Sequence, residues 1–307
     1  MTERPEPFSG VLAAALTPLD ANFIPDDTMM AVHCRWLLDH GCNGLAILGT
    51  TGEANSFCLK ERIRIIESLI ENGIPAHTLM PGTGSCALTD AVILTELAVK
   101  AGAGGVLMLP PFYYKDPSDD GLYAYYSEII QQVGDERLRV YLYHFPQMSA
   151  IPISFGLIER LLKDYPLTVV GMKDSSGDLD NMVGAAKAFP GFAVLSGHDN
   201  LLLPLLQAGG TGCITACANV GSELAAAVYE GFKDGDDVHA VNQVLVALRK
   251  TVSRFPLSAA LKQLMARHTS NDAWLNIRPP LVKLIKAQTQ DLYNGFDALG
   301  HQIAPTA

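Results

Sequence analysis

Residues 169–175 read Val-Val-Gly-Met-Lys-Asp-Ser, a short apolar run that ends in a lysine. Such a run is typical of a strand that is buried on both faces. Lys173 stands where the strand ends, and apolar surroundings disfavour the charged form of an amine. A neutral amine is a nucleophile toward carbonyl carbons. A lysine after a strand is more often a surface residue, so the two interpretations have to be weighed against the rest of the chain.

The same alternation of an apolar run and an amphipathic helix repeats along the chain. Eight strands are predicted, at residues 11–16, 44–48, 77–80, 105–109, 139–143, 169–172, 192–195 and 212–216. Eight helices follow them, at residues 26–41, 59–71, 88–100, 119–133, 155–162 and 178–188, then one that ends at residue 207 and one at 222–232. Strands that alternate with helices in this way predict a parallel sheet.

Eight strand–helix units favour a closed (β/α)8 TIM barrel. A doubly wound open sheet is the alternative, but it usually carries a glycine-rich nucleotide fingerprint, and neither GxGxxG nor GxxxxGK[ST] occurs here. After the eighth unit the strands stop, and helices are predicted at 238–252, 257–268 and 281–288. We therefore predict a barrel at residues 8–232 and a C-terminal helical region at residues 233–307.

Composition narrows the class of protein. The chain has 307 residues and a net charge of −10, which argues against nucleic acid and anionic membranes as partners. Residues 1–7 do not resemble a signal peptide, and no apolar run approaches the length of a membrane span. The six cysteines are scattered and form no CxxC pair, so neither a zinc site nor a disulfide framework is indicated. We expect a cytoplasmic protein.

Chemically active side chains follow the predicted strands. In a barrel of this type the active site lies at the carboxyl ends of the strands. The residues at those ends are Thr50, Thr51, Glu53, Tyr114, Tyr143, Lys173, Ser196, Gly197, His198 and Asp199. Each has a structural interpretation by itself, such as a turn, a core tyrosine or a helix cap. One rim that carries an amine, two phenols and two threonine hydroxyls favours catalysis.

These groups suit the chemistry of a 2-oxo acid. The Lys173 amine can attack the 2-oxo group to form an imine, and a nearby phenol can move the protons that this requires. The threonine hydroxyls and the backbone N–H groups of residues 49–52, at the start of a helix, can hold the carboxylate. No metal or cofactor is needed, because the protonated imine accepts the electrons.

At these residues the sequence resembles the dihydrodipicolinate synthase and N-acetylneuraminate lyase family of class I, pyruvate-dependent aldolases. The resemblance covers nearly the whole chain. The matching segments are Gly49-Thr50-Thr51-Gly52-Glu53, Gly82-Thr83-Gly84, Pro111-Phe112-Tyr113-Tyr114, Leu142-Tyr143, Gly171-Met172-Lys173-Asp174, Ser196-Gly197-His198-Asp199 and Ala218-Asn219.

The resemblance implies a role for each matched residue. Lys173 would form the imine, Tyr143 would transfer protons, and Thr50 would link Tyr143 to Tyr114, which would reach in from a neighbouring subunit. Contacts to the substrate would come from Thr51, Gly49, Gly197, His198, Asp199, Ile214 and Ser175. Members of the family are typically dimers or dimers of dimers, so we expect a homo-oligomer, a homotetramer if two dimers pair, that acts on a small 2-oxo acid.

One departure from the family pattern bears on the substrate. Members that make dihydrodipicolinate carry an arginine shortly after the catalytic tyrosine, and Met148 stands there instead. A thioether cannot bind a carboxylate as a guanidinium does. The expected reaction is therefore reversible cleavage of a 2-oxo-3-deoxy sugar acid, or of a similar 4-hydroxy-2-oxo acid, to pyruvate and an aldehyde.

Three alternatives remain open at this stage. The chain would be a 4-hydroxy-tetrahydrodipicolinate synthase if pyruvate condensed with aspartate semialdehyde in spite of Met148. It would be a dehydratase if the same imine expelled water. It would be a catalytically silent pyruvate-binding protein if the imine did not turn over, although the full set of Lys173, Tyr143, Tyr114, Thr50 and Thr51 argues against this.

Overall fold

The computed structural model describes residues 6–305, so most of the N-terminal tail and the last two residues of the predicted helical region lie outside the described residues. The strands are β1 Gly10–Ala13, β2 Gly44–Leu45, β3 Val106–Met108, β4 Val140–His144, β5 Val169–Asp174, β6 Ala193–Ser196 and β7 Gly212–Thr215. The helices are α1 Asp27–Asp39, α2 Leu59–Glu71, α3 Leu88–Lys100, α4 Asp119–Val133, α5 Pro146–Ser149, α6 Phe155–Asp164, α7 Leu179–Ala188, α8 Leu202–Gln207, α9 Ala218–Asp234, α10 His239–Val252, α11 Leu257–Thr269 and α12 Lys286–Asp297.

The seven strands form one parallel sheet in the order β2-β1-β7-β6-β5-β4-β3. An extended segment, residues 79–83, connects the two edges of this sheet. Met80 N–H donates to the Leu45 carbonyl beside β2 at 2.8 Å, and Thr83 N–H donates to the Leu107 carbonyl of β3 at 3.0 Å. The sheet therefore curls until its edge strands share this segment as a neighbour.

Side chains alternate between the inside of the curled sheet and the helices around it. Leu12, Tyr141, Leu195 and Ile214 belong to a buried cluster inside the sheet. Their sequence neighbours, such as Leu142 and Val194, pack against helices instead. This two-residue period is the one expected of strands that are covered on both faces. Because both faces of each strand are covered, the strands appear in the sequence as continuous apolar runs.

Two predicted elements differ from the structure. The predicted strand at 77–80 is a 3₁₀ turn at Ala76–Thr78 followed by the bridging segment, because Pro81 has no N–H to donate to a regular ladder. The predicted helix at 281–288 is wrong: α12 begins at Lys286, and the Gln288 side chain accepts a hydrogen bond from Ile285 N–H at its start. The buried face of α12 is formed by Leu292 and Phe296, one turn apart.

Helices α9 to α12 continue the fold beyond the last strand. Their apolar faces form a core with Leu16 and Ala216, which follow β1 and β7. Helix α9 runs through Asp234, so the boundary predicted at residues 232 and 233 falls inside its last turn. The division into a barrel and a separate C-terminal region stays a prediction. No helix within residues 6–305 combines the length and the apolar character that a bilayer crossing requires.

A buried polar group connects β1, α1 and α9. The Asn219 side chain accepts from Leu16 N–H at 3.0 Å and donates to the Ala14 carbonyl at 2.8 Å. His33 Nε2 lies 2.8 Å from Asn219 Oδ1, so this nitrogen is the donor of the hydrogen bond. Burial lowers the pKa of His33 to about 4, against an opposing contribution from the hydrogen bond to Asn219.

A buried ion pair connects the Gly49–Glu53 loop to the C-terminal helices. The Lys262 ammonium on α11 donates to the Glu53 carboxylate, and it also donates to the Asn276 carbonyl at 2.8 Å. The second Glu53 oxygen accepts from Arg278 N–H at 3.0 Å. Burial lowers the pKa of Lys262, and the charge of Glu53 acts in the opposite direction. The ion pair therefore fixes the loop that carries Thr50 and Thr51.

We expect the folded protein to lose stability in mild acid because of His33. In the unfolded chain this histidine binds a proton near pH 6.5, whereas the folded chain binds it only near pH 4. Between pH 7.5 and 4.5 this one group should cost about 2–3 kcal/mol of unfolding free energy. Chemical unfolding of His33→Gln should show a correspondingly smaller loss, with the exposed His77→Gln as the control. Equal pH dependence in His33→Gln and the parent protein would contradict the prediction.

We expect Lys262→Met to destabilise the fold by about 3–5 kcal/mol, because it leaves the Glu53 carboxylate buried without its cation. Replacing both partners, as Lys262→Met with Glu53→Gln, should recover part of the loss. Urea unfolding measures both variants, and Lys250→Met, at an exposed position of α10, serves as the control. A Lys262→Met variant as stable as the control would show that the ion pair does not hold the loop.

Candidate active site

Lys173 and Tyr143 are brought together by strand register. They are direct partners across β4 and β5, and both side chains point into the curled sheet. Lys173 Nζ lies 4.4 Å from the centre of the Tyr143 ring. Each residue is only 4% exposed. A parallel pair at the carboxyl end of two adjacent strands thus places a buried amine against a buried phenol.

The Lys173 amine has no hydrogen-bonding partner among the residues that the structure describes. Across residues 6–305 it makes neither a hydrogen bond nor an ion pair, and the Tyr143 hydroxyl likewise makes no hydrogen bond. Both groups line the same cavity. A nucleophilic amine needs to be unpaired and to have an acid–base group beside it, and the buried Lys173 amine next to the Tyr143 phenol meets both requirements.

The Gly49–Glu53 loop presents donors to the same cavity. The N–H groups of Glu53 and Ala54 are used within the turn, by the carbonyls of Thr50 and Gly49 at 3.1 Å each. Those of Thr50, Thr51 and Gly52 have no acceptor in the described part of the chain. Successive free N–H groups of this kind form an anion-binding concavity. Only a 3₁₀ turn, Ala54–Ser56, follows the loop directly. Helix α2 begins at Leu59, as predicted, so the loop does not lie at the start of a helix as the sequence analysis expected.

Ser175, Gly197 and His198 form the wall that continues from Lys173. The site of a Cβ on Gly197 would lie 2.0 Å from Ser175 Oγ, so the two segments approach closely because residue 197 is glycine. His198 Nε2 donates to the Ser175 carbonyl at 3.2 Å. Burial lowers the pKa of His198, and the nearby Arg249 lowers it further. We therefore expect this imidazole to be neutral at pH 7.

These residues enclose one large cavity of about 600 Å³. Of the residues predicted for the site, it is lined by Thr50, Thr51, Tyr143, Lys173, Ser175, Gly197 and His198. Gly49 lines a smaller cavity of about 20 Å³ that shares Thr50 and Tyr143 with the large one. Eight of the eleven residues predicted for the site thus line one or both of these two cavities.

Three predicted residues lie elsewhere. Asp199 is fully buried and accepts from the Thr215 hydroxyl at 2.6 Å. Ile214 lies inside the curled sheet with no exposed surface. Tyr114 is 77% exposed and packs edge-to-face on Tyr113, away from the cavity of its own chain. No hydrogen bond in residues 6–305 joins Tyr143 to Thr50, so the proton relay stays a prediction.

C-terminal residues complete the cavity, and none of them was predicted from the sequence to belong to the site. They are Arg249, Pro256, Leu257, Ser258, Ala259, Ile277, Pro280, Leu281 and Val282. Ser258 Oγ donates to the Thr51 carbonyl at 3.2 Å and so supports the loop directly. One signal for Arg249 was present in the sequence: it follows Leu245 by four residues and precedes Val252 by three, on the buried face of α10. No three His, Cys, Asp or Glu side chains within residues 6–305 come together as a metal site would require.

Known proteins resemble the chain along almost its whole length. The model of the dihydrodipicolinate synthetase family matches residues 7–298. A DapA-like lyase of Chloroflexus aurantiacus, itself uncharacterised, is 33% identical over 94% of this chain and 96% of its own. The 4-hydroxy-tetrahydrodipicolinate synthase of a Synechococcus species is 31% identical over 97% of each chain.

Solved structures agree with these matches. The crystal structure of dihydrodipicolinate synthase from Agrobacterium tumefaciens superposes with a TM-score of 0.89, at 31% identity, over 96% of this chain and 100% of that one. The family match, the relatives and the shared fold lead to one conclusion: the chain belongs to the dihydrodipicolinate synthetase family, and it is an enzyme of that family's class of pyruvate Schiff-base lyases.

Proposed function

We propose that the chain reversibly cleaves a 4-hydroxy-2-oxo acid, the 2-oxo-3-deoxy sugar acids included, to pyruvate and an aldehyde through an imine on Lys173. The observation that supports this most directly is the unpaired Lys173 amine, 4.4 Å from the Tyr143 ring, at the wall of the large cavity. We also propose that the imine replaces any cofactor and that the enzyme works in the cytoplasm.

Imine formation begins the proposed cycle. The neutral Lys173 amine attacks the 2-oxo carbon, and the carbonyl oxygen leaves as water. The substrate carboxylate lies against Thr51 and the free N–H groups of the Gly49–Glu53 loop, which favour an anion. Tyr143 supplies and removes the protons of this step, because its ring contacts Lys173.

Carbon–carbon cleavage follows from the imine. Tyr143 takes the proton of the C4 hydroxyl, directly or through the substrate carboxylate. The C3–C4 bond breaks, its electron pair moves toward the imine nitrogen to give an enamine, and the aldehyde leaves. Protonation of C3 and hydrolysis of the imine then release pyruvate and restore Lys173. The reverse sequence joins pyruvate to an aldehyde.

We further propose that Tyr114 acts in the site of a neighbouring subunit. In its own chain it is largely exposed and does not line the cavity, although Thr50 and Tyr143 do. A homodimer, or a dimer of dimers, would place this phenol beside Thr50 of its partner. The proton relay would then run between subunits, and dilution to monomers would abolish turnover.

A second candidate is 4-hydroxy-tetrahydrodipicolinate synthase activity, which the names of several relatives favour, including the Synechococcus enzyme. Met148 argues against it, because it lines the cavity where the family's arginine is expected. A dehydratase would use the same imine to expel water. Detection of released pyruvate distinguishes aldol cleavage from this dehydration.

Trapping with borohydride tests the imine. Pyruvate followed by borohydride should give one reduced adduct per chain, which peptide mass spectrometry should assign to Lys173. Lys173→Ala should give no adduct and no turnover. Tyr143→Phe should still be trapped, but its turnover should fall by about 10²- to 10⁴-fold. The oligomeric, folded parent protein has to be used, and failure to trap it would remove pyruvate from the proposal.

Mixing two inactive variants tests the role of Tyr114. In a hybrid of Lys173→Ala and Tyr114→Phe chains, one site receives an intact Tyr114 beside an intact Lys173. Random pairing should therefore restore about a quarter of the parent activity, since half of the dimers are hybrids and each has one such site. If each Tyr114 served its own chain, mixing would restore nothing. Tyr113→Phe, at the exposed neighbouring position, is the matched control.

A further inference from the structure

Arg249 places a positive charge on the wall of the large cavity, on the side formed by the C-terminal helices. It lies on α10, and its side chain is 13% exposed. It lines the same cavity as Lys173, Thr51 and His198. The mechanism proposed above uses Lys173 and the Gly49–Glu53 loop for the pyruvate half of the substrate, and it gives Arg249 no role.

The hydrogen-bonding capacity of Arg249 is mostly unused. Its contact to a charged partner is a single one, Nη1 to Asp199 Oδ2 at 3.4 Å, which is longer than a typical charge-assisted hydrogen bond. A guanidinium has five N–H donors, and within residues 6–305 the Cys217 sulfur is its one other side-chain partner. Asp199 is itself fixed by the Thr215 hydroxyl at 2.6 Å. Asp199 therefore orients the guanidinium without saturating it.

The surroundings of Arg249 increase its effect on an anion. The cavity that Arg249 lines is also lined by the apolar side chains of Met148, Leu257, Ile277, Leu281 and Val282. In a site that apolar groups shield from water, a charge-assisted hydrogen bond is stronger than at an open surface. Arg249 and Lys173 line this one cavity, so a single substrate can contact both side chains.

We propose that Arg249 binds a carboxylate on the aldehyde half of the substrate, so that the enzyme's substrate is a dicarboxylic 4-hydroxy-2-oxo acid. This inference rests on the proposed aldol function and specifies its substrate class. Arg249 then supplies, from α10, a cation to the cavity, whereas Met148 supplies none. It binds the carboxylate of the aldehyde half, while Thr51 and the Gly49–Glu53 loop bind the carboxylate of the pyruvate half.

The charge balance favours a carboxylate over a phosphate. Asp199 lies against Arg249, so the pair together carries no net charge. A monoanion can use the free face of the guanidinium in a bidentate contact. A dianionic phosphate in the same place would be repelled by Asp199 without a second cation to offset it.

Matched aldehydes test the proposal in the condensation direction with pyruvate. Malonic, succinic and glutaric semialdehydes are compared with propanal, butanal and pentanal, so that each pair differs only in the terminal carboxylate. In the parent enzyme we expect kcat/KM to favour the semialdehyde about tenfold or more in at least one pair. Arg249→Met should remove this preference, and so should Arg249→Met with Asp199→Asn, which leaves no unpaired carboxylate. Lys250→Met, the exposed neighbour on α10, should keep it.

Each outcome has a separate meaning. Equal use of semialdehydes and alkanals by the parent enzyme, or a preference that survives in Arg249→Met, would overturn the proposal. A stronger preference for glyceraldehyde 3-phosphate than for any semialdehyde would overturn the carboxylate assignment. A preference for aspartate semialdehyde would support Arg249 as the carboxylate site and would identify the second candidate function as the activity. If the borohydride adduct forms but no aldehyde condenses, the aldol function itself fails, and this proposal fails with it.

Discussion

The contact between Lys173 and Tyr143 depends on the register of two adjacent parallel strands. A shift of one residue in either strand would turn one of the two side chains toward the surrounding helices, because side chains alternate between the faces of a strand. The register is fixed by the apolar neighbours: Leu142 and Met172 face the helices, and Tyr141 faces the interior. The energy that holds Lys173 against Tyr143 is thus mainly the hydrophobic burial of their apolar neighbours.

The second half of the site depends on contacts between distant parts of the chain. The loop that carries Thr50 and Thr51 is bonded to Lys262, Ser258 and the backbone of Arg278. The C-terminal helices therefore position the loop in addition to any role in assembly. They also supply much of the outer wall of the cavity. In the proposed function, the sheet therefore supplies the groups for chemistry at the strand ends, and the C-terminal helices supply contacts to the rest of the substrate.

Much of this could be predicted from local sequence. Helices α2, α3 and α4 begin and end where the periodicity of their apolar residues indicated. The predicted strand at 77–80 and the predicted helix at 281–288 failed for a common reason. In both segments apolar residues follow a regular pattern, but prolines interrupt the backbone: Pro81 in the first, and Pro279 and Pro280 just before the second. Leu281 and Val282 are apolar because they line the mouth of the cavity, and no helix buries them.

The sequence by itself determined the alternation of strands and helices, the lysine at the end of β5 and most of the polar residues at the strand ends. These features are local, because periodicity and turn residues act over a few positions. Only the tertiary structure decided that Arg249 and residues 256–259 face the same cavity as Lys173, that Asp199 is turned away to hold Arg249, and that Tyr114 points outward. Such features depend on long-range contacts, for example the one between Ser258 and Thr51, which are 207 positions apart, and a local pattern carries no information about them.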